Sequence, residues 1–424
     1  MIKKIVYIII LFTICACGEE WRLYNQDNSP LPGNHVYSIA IDRMQRKWFG
    51  TDSGVACLSG DGWQVFTAKN SALSSGVIWT VTAGEGEEMW IGTDNSGVAR
   101  YDGREWKVWN SKNSMLPNDG IYDIQIDAEG NKWFATWGGG LVRFDDEIMT
   151  VWNQSNTILD HDKITSLFIE NEQMLWVGTA TGLYLFDGTE EWTRIKSFGP
   201  QKANPLGGPG NDAVYEIAMD SRRRLWIGLK YGGIWLYDRS AWRFYSTANS
   251  PLPNDRIYAI AIEEELKWFG TLNGLVVYDN LDWKIYTTEN SLLPDTRIYS
   301  IAIDAEGTKW VGTMNAGVAA LQSHRFSAIV QRDPKRPHHL TIDANYPNPF
   351  NSSTLIPYQL SRSGHLKVDL YNIRGHRIKT LLNRSVQSGT HRLRLEGYGL
   401  SSGVYLIRFQ IGNVSKISRC LYLK

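Results

Sequence analysis

Charge of one sign is what this sequence lacks first. Its 44 Lys and Arg are matched by 44 Asp and Glu, so the basic excess that tracks nucleic-acid phosphates is absent and nucleic acid is excluded as a partner. Cysteine is scarce: Cys15, Cys17, Cys57 and Cys420 are the whole set, and no CxxC pair offers metal-ligand spacing. Cys57 and Cys420 fall in different predicted domains and are expected to be small buried side chains rather than a disulfide. The apolar run Ile5 to Ile14 covers ten residues, about half the ~20 that a membrane-spanning helix needs. Only His35, His161 and His324 of the eight histidines precede residue 330, without HxH or HExxH spacing. No helical period and no glycine loop opening a helix is present, so metal hydrolases and phosphate-loop enzymes find no support. Neither a cofactor nor a metal is expected.

Aromatics and glycine are abundant instead, with 18 Trp, 20 Tyr, 13 Phe and 39 Gly in 424 residues. Trp followed by Phe, Ile or Val and then Gly or Ala occurs at Trp48, Trp90, Trp133, Trp176, Trp226, Trp268 and Trp310. Successive copies lie 42, 43, 43, 50, 42 and 42 residues apart, a period that marks a repeat architecture. In the last copy, Tyr299, Ile301 and Ile303 alternate with Ser300 and Ala302, which predicts a strand with those three on one face. An Asp304-Ala305-Glu306-Gly307 turn, the Trp310 strand, a third strand and an aromatic fourth strand complete the unit. One four-stranded unit cannot bury both faces, whereas seven packed radially can. The predicted fold is all-β: a seven-bladed propeller of four-stranded blades. Nearly all the aromatic content is then assigned to packing, with Trp137 and Trp235 outside the repeated positions. Trp21-Arg22-Leu23-Tyr24 matches a fourth strand and is expected to close blade seven, leaving Arg325 to Val330 as an exit segment.

The unit (Val/Ile)-Tyr-x-Ile-x-x-Asp-x-x-Gly-x-x-Trp-x-Gly-Thr-x-x-Gly-(Leu/Val)-x-x-Tyr-Asp resembles the two-component regulator propeller repeat over roughly residues 21–326. In hybrid sensors of that family such propellers lie outside the membrane and help to recognise signals, often glycans. The Tyr-rich sandwich, membrane helix and kinase found there do not follow residue 326, so the resemblance implies binding rather than signalling. Further on, Asn345-Tyr346-Pro347-Asn348-Pro349-Phe350-Asn351, Tyr371-Asn372-Ile373-Arg374-Gly375, Ser402-Gly403-Val404-Tyr405 and the terminal strand from Lys416 resemble a type IX secretion C-terminal sorting domain. That resemblance implies the type IX machinery as a partner. The alternating stretches Leu366 to Tyr371, Leu393 to Leu395 and Val404 to Phe409 predict a small Ig-like β-sandwich.

Lys3, Lys4 and the short apolar run form a signal segment. Ile14-Cys15-Ala16-Cys17 resembles a lipobox with Cys17 as lipid acceptor, and cleavage after Gly18 is the rival reading. The expected organisation is a lipoprotein-type signal peptide over 1–16, the propeller over 17–326, a linker over 327–343 and the sorting domain over 344–424. The expected address is the outer membrane, the cell surface or the extracellular space, held by a lipid or another surface anchor.

Candidate binding residues follow from blade geometry. The loop entering the first strand and the loop between strands two and three share the channel mouth. At the first loop, Asn34, Gly76, Asp119, Asp162, Asp212, Asp255 and Thr296 are equivalent, followed by His35, Val77, Gly120, Lys163, Ala213, Arg256 and Arg297. The aspartates suit a hydroxyl-rich ligand or a cation, and equally the backbone of their own turns. At the second loop Trp137, and Tyr231 beside Lys230, suit stacking on a sugar or peptide or packing on a neighbouring blade. The candidate ligand-binding set is Trp137, Lys230, Tyr231, Arg256, Arg297, Asp119, Asp162, Asp255 and His35. Asp123 and Glu216 replace small residues in two first strands without a spacing that makes them a catalytic pair. The reading is a non-catalytic exported propeller that binds an extracellular glycan, peptide or protein. A hydrolase or lyase using channel-mouth carboxylates, and a pure interaction scaffold, are the alternatives.

Overall fold

A computed structural model describes residues 19–74, 76–171, 174–188, 191–195, 212–239, 241–323, 340–342, 345–360, 363–387, 389–412 and 414–424. The signal segment, Cys17, the exit segment 325–330 and most of the linker lie outside them. The described residues fall into two compact units, one ending at residue 323 and one beginning at residue 340. Both are all-β.

The first unit is a seven-bladed propeller of four-stranded antiparallel sheets. Blade one runs Val36–Ile41, Lys47–Thr51, Gly54–Ser59 and Gly62–Phe66, and blades two to six repeat it. Blade seven takes Ile298–Ile303, Lys309–Thr313 and Val318–Ser323 from the end of the unit and Glu19–Tyr24 from its start. Trp21 pairs with Leu321 and Tyr24 with Val318, so the N-terminal strand closes the ring. Glu19 adds a link to blade six, accepting from the Tyr286 hydroxyl at 2.9 Å and from Lys284.

Six of the seven blades are built around one hydrogen bond. The acidic residue ending the first strand turns its carboxylate back onto the indole N–H of the repeat tryptophan. The pairs are Asp42–Trp48, Asp127–Trp133, Glu170–Trp176, Asp220–Trp226, Glu263–Trp268 and Asp304–Trp310, at 2.7–3.2 Å. In blade three the same carboxylate accepts from the Glu129 and Asn131 backbone N–H groups and so also fixes the hairpin turn. The turn requires a left-handed residue, met by Gly130 and Gly307 but also by Gln45 and Arg223. Each indole then packs on the following blade: Trp48 with Ile78 and Ile91, Trp133 with Ile164 and Phe186, Trp310 with Val36 and Phe49. Glycine in the repeat tripeptide allows that approach, since a Cβ on Gly228 would lie 2.8 Å from Ile257.

The first strands of successive blades touch in a closed circle around the channel. Every one of them except that of blade four places an aromatic residue in the same position, and the alternation expected there is broken. Between Ile298 and Ser300 the register shifts by a β-bulge, so Tyr299 leaves the face of Ile301 and Ile303 and meets Tyr258 of the neighbouring blade. The extra residue of a bulge has no cross-strand partner and re-aims its side chain.

The second unit pairs a three-stranded sheet (Leu340–Ile342, Ser353–Leu360, Gly389–Glu396) with a four-stranded one (Arg377–Val386, Gly364–Asn372, Gly403–Ile411, Val414–Tyr422). Ile356, Leu366, Val368, Ile407 and Phe409 form its buried centre. The opening motif is tied to the last strand: Phe350 exchanges backbone hydrogen bonds with Leu421 and Leu423, and Asn348 accepts from the Leu421 N–H at 2.8 Å. Cys57 and Cys420 are both buried and unbridged.

Blade two departs from the pattern. Gly84 stands where the other blades have an acid, and the buried Trp90 indole N–H has no acceptor. A Cβ on Gly84 would meet only the flexible end of Glu88. Gly84→Asn should therefore stabilise the propeller by about 1 kcal/mol, because asparagine supplies an acceptor without a second charge beside Glu88. Gly84→Ala should not, and Asp220→Ala should cost about 2–3 kcal/mol by orphaning Trp226. Denaturant unfolding of the three variants reads the comparison.

Candidate functional site

The channel mouth is assembled by a hydrogen bond repeated around the ring. The loop between strands two and three donates a backbone N–H to the residue entering the first strand of its own blade: Asp52 to His35, Trp137 to Gly120, Lys230 to Ala213, Met314 to Arg297. These bonds hold both loops on one face. Three candidate aspartates are used in the same framework. Asp119 accepts from the Ser111 N–H and hydroxyl, Asp162 from the Gln154 N–H, and Asp255 from the Thr247 N–H and hydroxyl, at 2.6–3.0 Å. Asp212 likewise accepts from the backbone of Ala213 and Tyr231 at 2.8 Å.

The aromatic candidates project from this framework. Trp137 is 40% exposed; its inner face stacks on Tyr122 with centroids 4.2 Å apart and planes 10° apart, and Trp79 lies 5.3 Å away. The Lys163 ammonium of blade four sits against the Trp137 ring and 5.5 Å from that of Tyr122. Burial, with the like charge of Lys230 adding to it, pulls Lys163 down to about 8. Tyr231 is 50% exposed and has two cations near its ring, Lys230 at 5.1 Å and the Arg256 guanidinium at 5.0 Å from its centre. Arg297 is held bidentate by Asp295 at 3.0 Å on both arms. His35 stacks on Tyr37 at 4.0 Å and meets Tyr299 edge-on, and burial lowers its basicity.

The candidates therefore separate. Trp137 and Tyr231, with Lys230 and Arg256, form an exposed aromatic and cationic surface. Asp119, Asp162 and Asp255 are turn ligands, Arg297 is neutralised, and His35 belongs to the wall.

Lys163, placed at the mouth by the entry-loop positions but outside the candidate binding set, joins this surface, and the first-strand rings assigned to ordinary packing face the channel. In fact Tyr37, Trp79, Tyr122, Tyr215, Tyr258 and Tyr299 form an interrupted collar around the channel. Tyr258 stacks on Tyr299 at 4.3 Å and on Tyr215 at 5.3 Å, and Trp79 meets Tyr122 at 4.3 Å. Burial raises the phenols of Tyr37, Tyr122, Tyr215 and Tyr299, that of Tyr215 to about 12. Blade four breaks the collar with Thr165, whose hydroxyl donates to the Val214 carbonyl at 2.6 Å. One residue further along their strands lie Asp123 and Glu216. Burial raises both carboxyls above the usual carboxylate range, and the charge of Asp123 raises Glu216 further. Among the described residues no group of three or more His, Cys, Asp or Glu is arranged to hold a metal.

Residues 344–422 match the family model of the secretion system C-terminal sorting domain. Among solved structures the chain is similar to PorZ, a surface component of the type IX secretion system of Porphyromonas gingivalis, at 16% identity and a TM-score of 0.57, covering 92% of this chain and 60% of that one. It is also similar to the extracellular domain of a hybrid two component system from B. thetaiotaomicron, at 15% identity and a TM-score of 0.61, covering 95% and 57%. Virginiamycin B lyase from Staphylococcus aureus matches at 17% identity and a TM-score of 0.56, covering 72% of this chain and 99% of the lyase. The chain thus spans 60% and 57% of the first two structures' length, and likeness at these identities carries the fold. No curated protein matches the sequence. The chain is a seven-bladed propeller followed by a secretion sorting domain.

The raised carboxyls set a pH dependence. Folded Glu216 holds its proton to higher pH than in the unfolded chain, so its contribution is fully present below about pH 4 and is lost as pH rises toward the folded value. In a buffer containing a chelator, Glu216→Gln should match the wild-type melting temperature near pH 4 and exceed it at pH 8. A variant less stable than wild type at pH 8 would contradict the assignment.

Proposed function

We propose that this chain is an exported, non-catalytic propeller that holds an extracellular glycan bearing negative charge at its channel mouth. One observation carries the reading: two half-exposed rings, Trp137 and Tyr231, stand on the same face with Lys163, Lys230 and Arg256 against them. A sugar ring stacks on an aromatic face through its C–H groups, while a carboxylate or sulfate on the ring meets the cations. The mouth aspartates are occupied by backbone donors, which weighs against the hydrolase or lyase alternative that needs them as acids and bases.

The sorting domain supports passage through the type IX machinery to the outer membrane or cell surface. The likeness to PorZ, itself a surface component of that system, supports the same partner. Retention by a lipid on Cys17, which lies outside the described residues, remains part of the proposal.

A screen of neutral and acidic glycans and peptides against the propeller tests the reading. Acidic glycans should bind without turnover, Trp137→Ala and Tyr231→Ala should each weaken binding about tenfold, and affinity should fall between pH 7 and 9 as Lys163 loses its proton. The two substitutions should leave the melting temperature within a few degrees, whereas Trp133→Ala should cost about 3–5 kcal/mol. Equal destabilisation by Trp137→Ala and Trp133→Ala would assign Trp137 to packing. Cleavage of any screened compound would support the lyase reading.

For the address, a chain ending at Val330 should stay inside the outer membrane while the full chain reaches the surface. Protease shaving of intact cells reads the difference, and equal shaving of both would refute the export role.

A further inference from the structure

We propose that Asp123, Ser166 and Glu216 form a site for a hydrated divalent cation of the calcium or magnesium class inside the channel. The three occupy one register position in three consecutive blades, opposite Ala135, Gly178 and Gly228 respectively. The other four blades place Ser38, Thr80, Ala259 and Ser300 there. Those neighbours show what the position ordinarily does. Ser38 accepts from the Val81 N–H of the next blade at 3.1 Å, and Ser300 donates to the Val36 carbonyl at 3.4 Å. Two carboxylates are not needed for either task.

The acids are poorly compensated. Asp123 accepts from the Leu167 N–H at 2.7 Å and from the Gln125 amide at 3.4 Å, and Glu216 has the Ile217 N–H. Among the described residues no Lys, Arg or His contributes to the surroundings of either. Asp123 and Glu216 are half-buried, and the charge of Asp123 acts on Glu216; a bound cation would remove that like-charge repulsion.

A second, independent observation lies between them. Ser166 is 2% exposed and its hydroxyl makes no hydrogen bond. The hydroxyl at this position is hydrogen-bonded in blades one and seven; in blade four it is buried and left with its lone pairs available. In the same blade Thr165 stands where the other six first strands carry an aromatic ring.

The donor set chooses the ion class. Carboxylate and hydroxyl oxygens, with neither imidazole nor thiolate, suit hard cations. Three protein donors are too few for full coordination, so water completes the shell, as both magnesium and calcium sites allow.

The test uses the full chain stripped with a chelator, then titrated with calcium chloride and separately magnesium chloride by calorimetry and thermal melting. One of the two salts should bind with a stoichiometry of one and raise the melting temperature by roughly 3 °C or more at saturating concentration. Glu216→Gln and Asp123→Asn should abolish the heat and the shift, and Ser166→Ala should weaken binding about tenfold. Because Glu216→Gln is expected to fold at least as stably as wild type without metal, its loss of binding is not a loss of structure. Equal binding by wild type and Glu216→Gln, or binding of neither salt in the millimolar range, overturns the site. Glycan binding at the mouth is measured separately, so failure of one assignment leaves the other standing.

Discussion

The carboxylate-to-indole hydrogen bond is the constraint on which the rest of the propeller depends. A single acid at the end of the first strand fixes the hairpin turn and sets the tilt of the repeat tryptophan. That tryptophan is also the side chain that reaches the next blade, so the geometry of one turn is passed to the neighbouring sheet. Charge-assisted bonds of this kind contribute about 1.5–3 kcal/mol each when buried. Their larger effect is to leave the indole one orientation against Ile164 and Phe186, or Val36 and Phe49. Repeated around the circle, this makes the last blade meet the first, where Glu19–Tyr24 completes the sheet.

Close packing of the blades has a consequence for the axis. Glycine after the tryptophan brings the next first strand near, so the circle of first strands is narrow. The bulge then turns one residue per strand toward the channel, where six of the seven are aromatic. Rings that would be ordinary core side chains in a flat sheet become a collar beneath the mouth loops. The loops themselves are held by backbone bonds and by the carboxylates of Asp119, Asp162, Asp212 and Asp255. The side chains outside those bonds, Trp137 and Tyr231 among them, are the part of the mouth that varies without disturbing the frame.

Much of this is legible in the amino-acid sequence alone. The tryptophan spacing carried the blade count, and the match of Trp21 to Tyr24 with the fourth strands carried the closure, because both are periodic signals. The bulge was not legible: an alternating run reads the same whether or not one residue is extra, so Tyr299 was placed on the wrong face. The partner of the indole was hidden for a related reason. Asp127 looks like a turn residue and is one, and its second oxygen has no separate signature. Among the candidate site residues, Trp137 and Tyr231 stood out because they break the repeat, whereas Asp119, Asp162 and Asp255 stood out because they keep it. Keeping the repeat is what a structural role requires. Lys163 breaks no pattern and is placed on Trp137 only by the adjacency of blades three and four.

Along the channel wall, departures from sevenfold symmetry are concentrated in one sector. On one side of the ring, Tyr215, Tyr258, Tyr299 and Tyr37 form a run of touching rings, and Ala259, Ser300 and Ser38 lie one residue further along their strands. Across blades three to five the wall combines a missing collar ring at Thr165, two acids, an unsatisfied hydroxyl, and the Trp137 and Lys163 pair at the mouth. Each blade contacts only its neighbours, so the cost of such departures stays local and the remaining blades keep the ring closed. The same separation lets the mouth present cations while the depth presents carboxylates, with aromatic rings between them. Opposite charges thus lie along one axis without cancelling, since each zone is fixed by a different position in the first strand or its entry loop.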